Sequence, residues 1–271
     1  MRHIIDSLKE VTNNRLICKN LKKTLINDLD DCLYEFFQNN FYLDDLVPDH
    51  NNQEKHIGIE IECLMPKTDL QVFLAFFRKG LDKIVRVDGD GSIRTCKSTK
   101  GYNSFEIKVL TTKKKLAKDL KDVMKVLKSL GAKTNDSCGL HIHLDIRNRD
   151  YDHCMERLYK YQKMLYSRIP KSRKKSKWFR RVKKETGTRF NYYTYKNEKY
   201  VNYIGDAFNT RHIDDTIEVR IHHGNLNYKN ILNWIRLLNA IVDSKEKPRF
   251  TKEVKAYIKS KVSTTKTVRV S

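Results

Sequence analysis

Three pairs of polar residues stand two positions apart inside otherwise apolar stretches: Glu60 and Glu62 in HIGIEIEC, His141 and His143 in GLHIHLD, and Glu218 and Arg220 in TIEVRIH. Side chains at alternate positions of a β-strand leave the same face, so strands here would present each pair together. Glu106, between Phe105 and Ile107, supplies a fourth position of the same kind. Taken singly the pairs are weak signals, since an isolated E-x-E is ordinarily a solvated strand edge and an isolated H-x-H a hydrogen-bonded structural pair. Their conjunction carries the argument, because a sheet face too charged to pack as core needs another reason to exist.

That reason is a divalent cation. Carboxylates are the hard oxygen donors that magnesium or manganese accept, imidazole suits manganese or zinc, and a cation removes the repulsion between neighbouring glutamates. Metal so held can bridge the phosphates of ATP and an acceptor carboxylate, with Arg220 neutralising charge on the transferring phosphoryl group. The chain has no GxxxxGK[ST] loop, so ATP is expected to be bound through metal. Cys138 beside His141 and His143 suggests zinc, but a structural zinc site needs four protein ligands and no fourth has suitable spacing.

The elements that must position these residues follow from periodicity. Apolar positions alternate over 56–63, 84–87, 104–109, 140–146 and 216–222, as in strands, and a turn is expected at Asp88–Ser92. Helical spacing appears at 69–79, at Leu116, Leu120, Val123, Met124 and Leu127 with Gly131 as a terminal cap, near 151–167, and at Ile231, Ile235, Leu238 and Ile241. Tyr192, Tyr193, Tyr195, Tyr200 and Tyr203 mark strands around 188–205, where ordinary packing is the first explanation and stacking on an adenine the second. The expectation is an α+β domain over 55–245, a curved, mostly antiparallel sheet with helices packed on one face. Leu21, Leu25, Leu29, Leu33 and Phe36 predict an N-terminal helical extension over 1–50.

Of 271 residues with a formal net charge of +22, segment 171–184 holds nine Lys/Arg and no acid. Residues 245–271 hold another nine against two glutamates. Most of the positive surplus therefore lies in one internal insertion and one tail, 246–271, expected to be solvated surface, to contact a polyanion such as nucleic acid, or to grip an anionic substrate. Six scattered cysteines without a CxxC pair argue for reduced thiols, and the absence of an apolar run of membrane-spanning length argues for a cytoplasmic protein, or one in the host cytoplasm if viral.

The ordered set Gly58-Ile59-Glu60-Ile61-Glu62, Asp90-Gly91-Ser92, Phe105-Glu106-Ile107, Cys138-Gly139-Leu140-His141-Ile142-His143 and Thr216-Ile217-Glu218-Val219-Arg220, trailed by Gly224-Asn225-Leu226-Asn227, resembles the amidoligases of the glutamine synthetase-like carboxylate–amine ligase superfamily. The resemblance spans about 56–243. It implies a glutamine synthetase-like catalytic fold and an ADP-forming enzyme that joins a small-molecule or peptide carboxylate to an amine through an acyl phosphate, using ATP and Mg2+ or Mn2+. By the same resemblance Glu60, Glu62, Glu106, His141 and Glu218 would be metal ligands. Glu60, Glu62, Glu106, His143 and Arg220 would hold the nucleotide, and Arg220, His143 and Glu62 would be catalytic. Asp90 and Ser92 match the family's turn without an assigned role. The pair His222-His223 and the basic insertion depart from the family pattern.

Two other classes compete. The histidine-hydrophobic-histidine element also fits single-strand DNA nicking and replication-initiator enzymes, whose nucleophilic tyrosine would be Tyr159, Tyr161 or Tyr166; that reading leaves Glu60, Glu62, Glu218 and Arg220 without duties. A non-catalytic basic nucleic-acid-binding domain accounts for the charge alone.

Overall fold

The alternation in HIGIEIECLM becomes strand β1 (His56–Met65), with Ile57, Ile59, Ile61, Cys63 and Met65 turned into the core and the intervening Gly58, Glu60 and Glu62 turned away. The computed structural model describes residues 54–174, 192–195, 198–201, 208–209 and 216–260, all in the second of the chain's two compact units, Pro48–Ser271. The helices expected over 1–50, residues 175–184 of the basic insertion and the terminal 261–271 lie outside the described residues.

After β1 come α1 (Asp69–Phe77), β2 (Val85–Gly89), β3 (Asn103–Thr112), α2 (Leu116–Ser129), β4 (Gly139–Asp145) and α3 (Tyr151–Ser167). Then follow the single-turn α4 (Lys171–Lys174), β5 (Tyr192–Tyr195), β6 (Glu198–Val201), β7 (Phe208–Asn209), β8 (Thr216–His223), α5 (Tyr228–Val242) and α6 (Lys252–Lys259). The main sheet has the order β2–β3–β1–β4–β8–β7, every described pairing is antiparallel, and β5–β6 form a separate ribbon. The class is α+β, as the sequence predicts.

Local signals set the helix limits. Thr68 and Gln71 close a capping box at the start of α1, Asn227 caps α5, and Gly131 takes φ 73° just beyond α2, a conformation that costs glycine little. The helices bury their apolar stripes on one face of the sheet: Leu120, Val123 and Leu127 of α2, Met155 and Leu158 of α3, and Trp234, Ile235 and Leu238 of α5 join the inward strand residues in one core. Leu120 is fully buried, so Leu120→Ala costs about 2–5 kcal/mol.

Three elements differ from expectation. The turn expected at Asp88–Ser92 is instead a longer crossing: β2 continues through Asp88 and Gly89, and residues 90–102 reach β3 by way of a 3-10 turn at Lys97–Thr99. Part of the C-terminal stretch read as a basic tail is α6, in which Val254 and Tyr257 are buried while Lys252 and Lys255 face outward. Arg168 secures its end, donating to the carbonyls of Ile258 (3.1 Å) and Ser260 (2.6 Å) with its guanidinium over the Tyr257 ring. The basic insertion begins with α4, where Lys171 and Lys174 are exposed but Arg173 is buried.

Candidate functional site

Register brings the polar positions of the central strands together on the face away from the helices. On β1, Glu60 lies opposite Lys108 of β3 on one side and His141 of β4 on the other; Glu62 lies opposite Glu106, and Gly58 opposite His143. His143 is in turn opposite Glu218 of β8, and Glu106 opposite Asp88 of β2. The glycine matters here, since a β-carbon at position 58 would stand 3.0 Å from Cβ of His143.

Glu60 is the hub. Its two oxygens meet Nδ1 of His141 at 2.9 Å and Nε2 of His143 at 3.0 Å. His141 extends the network, with Nε2 at 3.2 Å from Glu62 and Nδ1 at 3.3 Å from Glu218, whose oxygen also faces Nε of Arg220 at 3.4 Å. On the β3 side Lys108 joins Asp88 (2.6 Å) to Glu106 (3.3 Å).

A β-bulge shapes the β8 border. Leu140 pairs with His222 but Ile142 with Val219, so Arg220 and Ile221 together oppose His141. The extra residue shifts the phase of the strand. His222 consequently enters the core, its Nε2 3.2 Å from the Tyr257 hydroxyl and its ring 4.9 Å from Trp234, while Glu218 and Arg220 stay on the polar face.

At the other end of β4 a single peptide unit joins several elements. The Gly139 N–H donates to Glu62 Oε2 at 2.5 Å, while the Cys138 carbonyl accepts from Gly224 N–H at 2.7 Å and from Nη1 of Arg173 at 3.0 Å. A side chain at position 139 would displace its neighbours: a β-carbon there would fall 2.6 Å from Nη2 of Arg173, 2.7 Å from Nε2 of His141 and 3.0 Å from Oε1 of Glu62. Cys138 itself packs with Leu64 and Ile93 as an apolar wall, and burial pushes its thiol up to about 12.

The electrostatics are those of crowded anions. Burial and then the charge of Glu60 push Glu106 up to about 7. Burial acts on Glu60 in the same sense, yet the hydrogen bonds from His141 and His143 prevail and hold it far below the ordinary carboxylate range. Burial disfavours the imidazolium of both histidines, and the Glu60 hydrogen bond with the neighbouring carboxylates overcomes it and raises them.

Donor atoms lie within 4.8 Å of one another in three overlapping triads: Glu60, His143 and Glu218; Glu60, Glu106 and His141; Glu62, Asp90 and Glu106. The set fits a hard divalent cation in donor type, and the burial and anionic crowding that raise Glu106 are what such a cation would relieve. Nδ1 of His143 is buried with no hydrogen-bond partner, and Nε2 of His141, equally buried, has Glu62 Oε1 at 3.2 Å but outside hydrogen-bond geometry. All seven residues singled out from the sequence thus meet on one face. His143, expected to face nucleotide or substrate, also falls in a ligand triad, and Asp90 joins one while its Oδ1 accepts from Ser92 N–H at 2.7 Å.

Sequence reasoning missed Lys108 and Arg173. Lys108 was legible as the i+2 neighbour of Glu106; Arg173 was hidden in a run of nine basic residues, and among the three of them that are described it alone is buried. The tyrosines required by the nicking reading pack on the helical side: Tyr166 is a core residue, and Tyr159 and Tyr161 lie against the core. The side chains of the tyrosine ribbon lie outside the described residues. No described helix is long and apolar enough to cross a membrane.

Residues 82–242, from just before β2 to the end of α5, match the model of a family described as "Putative amidoligase enzyme". No curated protein matches the chain.

Proposed function

The chain belongs to this amidoligase family, and from that premise we propose that it is an ATP- and Mg2+-dependent carboxylate–amine ligase working through an acyl phosphate. The observation that carries the reading is the row of carboxylates and imidazoles across β3, β1, β4 and β8, centred on a Glu60 shared by two histidines. Such a row offers the oxygen and nitrogen donors that divalent cations take, and bound cations attract polyphosphate.

In this reading Glu60, Glu62, Glu106, His141 and Glu218 would hold Mg2+ or Mn2+, which when bound would supply positive charge against the phosphates of ATP. An oxygen of the acid attacks the terminal phosphorus as the bond to ADP breaks, giving the acyl phosphate. The amine then attacks the acyl carbon, phosphate leaves, and the amine proton passes to a base. Arg220, beside Glu218, stabilises the charge on the phosphoryl oxygens as they transfer. His143, with Nε2 on Glu60, is the group best placed to hold or move a proton, and Glu62 is fixed by the Gly139 N–H so that its second oxygen faces His141. The catalytic domain comprises 55–245, to which α6 adds support.

The test is ADP release from ATP in the presence of pooled acids and amines. The expected result is turnover that requires a divalent metal and both pools, and that falls at least about a hundredfold in Glu62→Gln and Arg220→Ala. Turnover untouched by both substitutions sinks the assignment.

A further inference from the structure

The acidic face carries a cation of its own on the β3 side. Glu106 stands opposite Asp88 across the β2–β3 ladder and opposite Glu62 across the β1–β3 ladder, while Lys108 stands opposite Glu60. Two positions apart, Lys108 and Glu106 leave β3 on the same side, which sets the lysine diagonally across from Asp88. Its Nζ lies 2.6 Å from Asp88 Oδ2 and 3.3 Å from Glu106 Oε2, so one ammonium joins carboxylates of two strands. That is the task a divalent ion would have in the triads, and Asp88 belongs to none of the three although Glu106 belongs to two. All three side chains are partly buried, where two carboxylates with no cation between them would repel.

Resting on the ligase reading above, we propose that Lys108 is a tethered counter-ion that occupies the Asp88 end of the acidic row, so that divalent ions collect between Glu106 and Glu218 and no further. Lys108 is a positioning residue in this scheme, acting on the metal through Glu106. A lysine ammonium keeps its charge at ordinary pH and is bound to the chain, so it cannot be exchanged as a free ion is. Without it, Asp88 and Glu106 would add their oxygens to those of Glu60 and Glu62, and the row would hold its ions more tightly or take one more. With it, the positive charge beside Glu106 opposes any ion drawn towards Asp88.

Mn2+ titration of the full chain without nucleotide, with the free ion counted by electron paramagnetic resonance, tests the assignment, because the sign of the change separates the roles. Lys108→Met removes the charge and is expected to tighten Mn2+ by about tenfold or more, or to add one bound ion, while Lys108→Arg stays within about threefold of wild type. Adding Asp88→Asn to Lys108→Met is expected to abolish the gain. Unchanged or weaker binding in Lys108→Met overturns the proposal, weaker binding making the lysine a structural support. A gain that survives Asp88→Asn in full, or that Lys108→Arg shows equally, overturns it too. If Lys108→Met does not fold, Lys108→Gln decides by the same readings. Tighter Mn2+ in Lys108→Met beside a wild type that releases no ADP with any acid and amine pool would leave Lys108 standing and sink the ligase reading; turnover with unchanged Mn2+ binding would do the reverse.

Discussion

Gly139→Ala removes no functional group, yet it should damage both stability and metal binding. The added carbon would meet Nη2 of Arg173 at 2.6 Å, Nε2 of His141 at 2.7 Å and Oε1 of Glu62 at 3.0 Å, distances at which something has to move. Two of those groups are candidate ligands and all three are anchored, Arg173 on the Cys138 carbonyl, His141 on Glu60 and Glu62 on the Gly139 amide. Overpacking at a tight site costs about 1–3 kcal/mol, which in a domain of this size lowers Tm by roughly 2–10 °C. Displacing the ligands should weaken Mn2+ binding by about 10–100-fold. Gly89→Ala is the control, because nothing lies within 4 Å of its added carbon and the change should stay within about 0.5 kcal/mol of wild type. Calorimetric melting and Mn2+ titration of both variants are the assays. A Gly139→Ala protein that melts and binds like wild type, or a Gly89→Ala protein damaged as badly, would refute the reasoning.

Three further outcomes follow from the same geometry. The hydrogen bond to Glu60 and the neighbouring carboxylates overcome burial and raise the proton affinity of His141 and His143, so cation binding to their ring nitrogens competes with protons; titrations of Mn2+ near and below pH 7 in buffers of different ionisation enthalpy should show proton release that grows as pH falls, and its absence would remove the histidines from the ligand set. Because the folded-state value of His223 is about 4 against an ordinary 6.5, the unfolded chain takes up its proton first as pH falls. This contribution is intact above about 6.5 and lost towards 4, by at most about 3 kcal/mol; urea midpoints at pH 7.5 and 4.5 should differ less in His223→Gln than in wild type. Ending the chain at Phe250 removes α6 with Val254 and Tyr257, and should cost about 3–5 kcal/mol in urea unfolding; a dispensable tail would cost nothing.

The sheet and the candidate site were legible in the sequence for a common reason. Period two encodes both the strand and the face, so Glu60/Glu62, His141/His143 and Glu218/Arg220 declared themselves as pairs, and the core positions between them followed. What that periodicity cannot encode is a break in it. The bulge at Arg220–Ile221 sends His222 into the core, and nothing in TIEVRIHH marks where the extra residue falls. Charge misled in a different way. Lysine dominates both basic stretches, and the eye reads a solvated run, whereas Val254 and Tyr257 at helical spacing, or one arginine turned inward, decide what the segment does. Long-range partners were equally invisible: that the Gly139 amide bonds Glu62, 77 positions away, comes from the sheet order alone.

The central claim, that side chains from separate strands share divalent cations which carry the nucleotide, is tested most directly by an anomalous difference map from crystals grown with Mn2+ and AMP-PNP. The account predicts manganese peaks within coordination distance, about 2.0–2.3 Å, of oxygens or ring nitrogens of Glu60, Glu62, Glu106, His141 and Glu218, with phosphate density beside them. Manganese and nucleotide bound elsewhere, with Glu60 still hydrogen-bonded to both histidines, would contradict it.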